Sequence, residues 1–114
     1  MTDKTVQVSD LDLFIISLVA NNTRPMSFVD GLKLGRVFVA FDVEIWIKRA
    51  ETETVRTLMA LPVEPIKEVV LDRSDFGYFL AQFEPTLPKL IDDSVGRVLG
   101  NKIRELHKRL SDTA

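Results

Sequence analysis

The sequence predicts an α+β fold: an N-terminal helix, an antiparallel sheet built on a long β-hairpin (about 36–48 and 54–63), and one or two C-terminal helices packed on one face. Three observations carry that prediction. Between Arg36 and Lys48 every odd position is apolar, namely Val37, Val39, Phe41, Val43, Ile45 and Ile47. Before this stretch, apolar residues recur at helical spacing. After it, a second helical stripe runs nearly to the C-terminus.

The first helix is expected from about Asp10 to Ala20. Ser9 stands before an apolar run with Asp12 three residues on, an arrangement like a capping box with Asp in the Glu role. Leu11, Phe14, Ile15, Leu18 and Val19 then fall on one side, and Asn21-Asn22 closes the run. Ser27 is a candidate cap for a short turn through Phe28 to Leu32. Gly31 and Gly35 argue against a long helix there, because glycine is a poor helix former.

The segment 36–48 reads as a strand because its apolar period is two and β-branched and aromatic residues dominate it. Drawn instead as one continuous helix, it scatters Arg36, Asp42, Glu44 and Lys48 around the axis. Residues 49–53 are polar and suit a turn. Val55, Thr57, Met59, Leu61 and Val63 then alternate as a second strand. Ile66 to Leu71 reads as a third strand in preference to a helical turn. Ser74 looks like a helix cap, followed by Phe76, Phe79, Leu80 and Phe83 on one face. Leu87, Ile91, Val95, Leu99, Ile103, Leu106 and Leu110 form the last stripe, with Gly100-Asn101 as a possible stop between two helices.

With 114 residues, 46% apolar and 28% charged, the chain is expected to form one domain over 1–114, with 1–8 and 111–114 flexible. It has no cysteine, which excludes thiol catalysis and cysteine metal sites, and its one histidine, His107, excludes a histidine-rich site within one chain. The polar, acidic N-terminus lacks the pattern of a signal peptide, and no apolar stretch is long enough to span a bilayer, so a cytoplasmic location is expected. The net charge of −2 is uneven. Residues 97–114 carry five basic residues against Glu105 and Asp112, a net of +3, which leaves −5 on the other 96.

No catalytic, cofactor or metal site is expected. Asp72-Arg73-Ser74-Asp75 starts like a calcium loop but continues with Phe76 and lacks the closing glutamate. Asp92-Asp93 point about 100° apart on a helix and suit the start of one electrostatically. Asp42 and Glu44 share a strand face at roughly 7 Å, the spacing of an acid–base pair, yet they read better as its wet side, with Lys48 and Arg56 as cross-strand partners. His107 has no second catalytic group near it in sequence, and nucleophile elbow, phosphate loop and dinucleotide motifs are absent.

On the even face of the expected strand, Phe38 and Trp46 accompany Asp42 and Glu44. Exposed aromatics among mixed polar neighbours suit an interface core. The sequence therefore points to a non-enzymatic protein-interaction module, an accessory, adaptor or chaperone-like factor that partners itself as a homodimer or larger oligomer and probes other proteins through Phe38, Asp42, Glu44 and Trp46. The alternative is a small nucleic-acid-binding regulator that contacts phosphates through Arg97, Lys102, Arg104, Lys108 and Arg109.

Overall fold

The computed structural model describes residues 3–24, 27–83 and 94–112. In chain order the elements are β1 (Asp3–Val8), α1 (Asp10–Asn21), α2 (Phe28–Ala40), α3 (Val43–Thr52), α4 (Val55–Met59), β2 (Lys67–Asp72), α5 (Arg73–Leu80) and α6 (Ser94–Asp112). The protein is thus mainly helical, and the expected architecture is corrected. There is no hairpin over 36–48 and 54–63. The sheet pairs β1 with β2 antiparallel, from Asp3 opposite Asp72 to Val8 opposite Lys67. Residues 3–8, expected to be loose, form its first strand.

Each strand feeds directly into a helix. Ser9 follows β1 and caps α1: the Asp12 N–H donates to Ser9 Oγ at 3.0 Å, and the Ser9 N–H donates to Asp12 Oδ2 at 2.9 Å. This is the reciprocal pair that the sequence suggests. Asp72, the last residue of β2, caps α5 by accepting from the Asp75 N–H at 3.0 Å. The cap is therefore Asp72 and not Ser74. The strand expected near 66–71 is present.

α1 lies at the centre. Nine of its twelve residues are buried, on all sides of its axis. α3, α4 and α6 pack against it, and α2 packs on α5. The buried aromatic cluster links these layers. Phe79 meets Phe38 edge-on at 6.3 Å, Phe41 at 6.2 Å and Phe83 at 5.3 Å between ring centroids. On α6, Leu99, Ile103, Leu106 and Leu110 are buried as the stripe predicts, and the helix continues through Gly100-Asn101. Residues 87–93 of that expected stripe lie outside the described residues.

The period-two segment is two helices meeting at a sharp break. α2 ends at Ala40, Phe41 is its C-cap, and Asp42 has φ 53° and ψ 42°, a left-handed conformation, before α3 starts at Val43. The helical phase is reset there. Leu34, Val37 and Phe41 point inward from α2, and Val43 and Trp46 from α3. A single helical wheel drawn across Asp42 cannot show two separately phased stripes. Gly31 and Gly35 lower helix propensity by about 1 kcal/mol each, and burial of Leu34 and Val37 outweighs that, because each buried aliphatic side chain is worth about 1.5–3 kcal/mol.

Arg36 and Asp75 tie α2 to α5. Arg36 Nε donates to Asp75 Oδ2 at 2.6 Å and Nη2 donates to Oδ1 at 2.9 Å, a two-pronged pair with the carboxylate buried. The hydrogen bonds from Arg36 hold the Asp75 carboxyl below its ordinary range; desolvation opposes this, and the charges of Arg36 and Lys33 assist it.

Two outcomes test this fold. Val37 is 0% exposed and Val39 is 78% exposed. On a strand they would share a face. Val37→Ala should cost about 2 kcal/mol, and Val39→Ala less than about 0.5 kcal/mol, as read by urea denaturation. Equal costs would contradict the helical phase. Asp75, whose native pKa is lowered, stabilises the fold fully above the ordinary carboxyl value of about 3.9. That contribution is lost as pH falls through the lower native value. Asp75→Asn should therefore lower the urea midpoint at neutral pH and flatten its decline in acid. An unchanged acid slope would remove Asp75 from the account.

Candidate functional site: an apolar groove and the outer face of α2

The turn at Asp42 leaves an open groove of about 410 Å³ between the end of α2 and the start of α3. Phe38, Val39, Val43, Ile45 and Ile47 line it with apolar surface, and Asp42 and Glu44 supply its carboxylates. Both acids are exposed. Asp42 makes no side-chain capping bond to α3, although it occupies the N-cap position. Its left-handed backbone is the one positive φ of a non-glycine residue among those described. Aspartate tolerates that region better than most residues, at some cost.

The groove continues onto the outer face of α2. Phe28, Leu32, Gly35 and Val39 are spaced by four, three and four, so they form one stripe along the helix. It lies opposite the stripe that Leu34, Val37 and Phe41 bury. Phe28 is 80% exposed and Leu32 47%. Val29 flanks the stripe, and Ile45 carries the apolar lining of the groove onto α3; both are exposed. Contiguous apolar exposure of this kind marks interaction surfaces.

The structure brings three of the four expected interface residues together. Phe38, Asp42 and Glu44 line one groove, although a helical break and not a strand face gathers them. Trp46 is corrected: it is buried at 6%, and Arg49 lies over its ring with the guanidinium carbon 4.6 Å from the centroid. The expected cross-strand pairing of Asp42 and Glu44 with Lys48 and Arg56 disappears with the hairpin. Arg49 pairs instead with Glu53, at 2.7 Å and 3.2 Å. The sequence reading missed Phe28, Leu32 and Val39 as a stripe. Their spacing was the available signal, hidden by the alternation that Val39 shares with its neighbours.

The five basic residues of α6 divide into two sets. Arg97, Arg104 and Lys108 fall on one line of its solvent face. Lys102 and Arg109 instead line a small cleft between α6 and α1, of about 110 Å³. Arg109 donates to the buried Asp12 carboxylate there. Arg109 is thus paired within the fold, with its side chain still 44% exposed. His107 stacks at 5.2 Å on Phe83, away from the groove acids in sequence and element. Among the described residues, no three of His, Asp and Glu are grouped to hold a metal ion. No described helix is long and apolar enough to cross a membrane.

Comparison of the chain with protein-family models, with curated proteins and with solved structures gives no match.

Proposed function

We propose that the chain is a non-enzymatic protein-interaction module of the accessory, adaptor or chaperone-like kind. It works in the cytoplasm as a homo-oligomer, and its docking surface is the outer face of α2 together with the groove at Asp42. The observation that carries this reading is the exposed stripe Phe28–Leu32–Gly35–Val39 running into an apolar groove with acids at its rim. Burying such a stripe removes water from apolar area, the main driving force of association. Asp42 and Glu44 would select partners by charge. The groove offers two exposed carboxylates with an otherwise apolar lining, a composition that suits docking of another protein surface.

Molar mass in solution tests the reading. Mass should rise above that of one chain as concentration increases, and Leu32→Asp or Val39→Asp, both at exposed positions, should hold the chain monomeric without loss of folding. A wild-type monomer up to millimolar concentration would contradict it.

The second reading, a small nucleic-acid-binding regulator, draws support from one observation: Arg97, Arg104 and Lys108 share the solvent face of α6. Three contacts predict that log affinity for duplex DNA falls against log salt with a slope of about −3. No affinity at low salt would end that reading.

A further inference from the structure

We infer that the occupant of this surface is a second copy of the chain, docked α2 against α2 in antiparallel. Leu32 of each copy rests on the partner's Gly35, and Phe28 of each enters the partner's groove beside Val39. This rests on the interaction reading above and names its partner and geometry.

The first argument is Gly35. A Cβ built there meets nothing within 4 Å. Within the single chain alanine would fit there, as it would at Gly77 of α5, and an interior glycine costs about 0.5–1 kcal/mol relative to alanine; what sets Gly35 apart is its place on the apolar stripe. Close approach of a backbone or a large side chain from outside the chain gives it a use.

The second argument is the order of sizes along the stripe. Intervals of four, three and four are those of an a/d seam between paired helices. A two-fold axis between positions 33 and 34, with the helices antiparallel, brings 28 opposite 39 and 32 opposite 35. A large residue then faces a smaller one at each level: Phe28 against Val39, and Leu32 against Gly35. A parallel pair would set Phe28 on Phe28 and leave a gap at the two glycines. It would also leave the grooves empty. In the antiparallel pair each Phe28, 80% exposed, arrives at the level of Val39, which borders the partner's groove.

Charge agrees with this arrangement. The seam residues are uncharged, and the shoulder cation Arg36 is neutralised by Asp75. Antiparallel docking brings the N-terminal end of one α2, whose backbone N–H groups are positive although its first turn also carries Asp30, toward Asp42 and Glu44 of the other copy. Area agrees as well. An apolar side chain exposes on the order of 150–200 Å² when bare. Complete covering of the exposed parts of Phe28, Val29, Leu32, Val39 and Ile45 would bury roughly 500 Å² per copy, or about 1,000 Å² in a pair, the lower limit for a specific interface.

The chain has no cysteine, so introduced ones report the pairing. Leu32→Cys and Gly35→Cys chains are oxidised separately and as an equal mixture, and Phe28→Cys with Val39→Cys likewise. The mixed disulfide should exceed each single-variant disulfide several-fold in both sets. Dominant Leu32→Cys or Phe28→Cys homodisulfides would mean parallel helices and overturn the proposal. A chain that has the mass of a dimer yet forms neither kind of cross-link would leave the interaction reading standing and remove this geometry. A chain that stays monomeric removes both. Gly35→Ala supplies a second readout: it should raise the melting temperature of the monomer and weaken self-association at least about tenfold, a loss of about 1.4 kcal/mol. Unchanged association would refute close approach at Gly35.

Discussion

The fold is organised around a helix with buried residues on every side of its axis. α1 buries Leu11, Leu13, Phe14, Ile15, Ile16 and Val19, which together point in all directions from its axis. Such a helix cannot be stable alone and must be covered on every side. Its one buried charge, Asp12, fixes where the cover begins and ends. That carboxylate accepts from the Ser9 backbone at the exit of β1 and from Arg109 near the end of α6. A buried carboxylate without donors would be costly. Meeting its demand joins two ends of the described chain that are separated by 97 residues.

The covering elements are short, and that shapes the surface. α3 and α4 each offer one inward face to α1, and the two-stranded sheet adds Val6, Val8, Val69 and Leu71 to the core. A cover of this kind is expected to be polar outside. α3 and α6 largely follow the rule, with Glu44, Lys48 and Glu51 exposed on α3, although Ile45 and Val98 are exposed as well. α2 departs from it by carrying a second apolar stripe on the side away from the core. The same thirteen residues therefore carry two apolar stripes, one of them buried within the chain.

That double use explains which parts of the fold were legible in the sequence. α1 could be read because its capping box and its stripe agree. The burial of Phe76, Phe79, Leu80 and Phe83 could be read too, as could the inner stripe of α6 from Leu99 to Leu110. Over 36–48 the signals conflicted. Val37 and Phe41 belong to the inner face of α2, Val39 to its outer face, and Val43 and Ile45 to opposite faces of α3. Together they imitate the alternation of a strand, an ambiguity inherent in short apolar runs. β1 failed for a different reason. Val6 and Val8 alternate with Thr5 and Gln7, but the run is short and polar, and its partner lies some sixty residues away. Nothing local announces such a pairing. The candidate site suffered likewise: Phe38, Asp42 and Glu44 do line one groove, but at a helical break and with Phe38 partly buried against the core, and Trp46 was drawn in with them by the mistaken backbone.

Exposed apolar side chains also occur at Val63, Ile66, Val70 and Val98, but three departures of different kinds meet at α2. A sequence that specifies its fold satisfies local preferences nearly everywhere, and departures concentrate where function requires them. Gly35 interrupts a helix whose own packing does not ask for it. Asp42 takes a left-handed backbone and an N-cap position without using its carboxylate to cap. Phe28 places an aromatic ring in water at the first turn of α2. Each is unfavourable for an isolated chain, by a separate mechanism: lost helix propensity, backbone strain and exposed apolar area. All three lie on, or at the end of, one face of one helix. A contact made on that face offsets two of them directly, by covering Phe28 and by filling the space over Gly35. The third is what opens the groove. Their common side is what the proposed pairing of α2 with a second copy would account for.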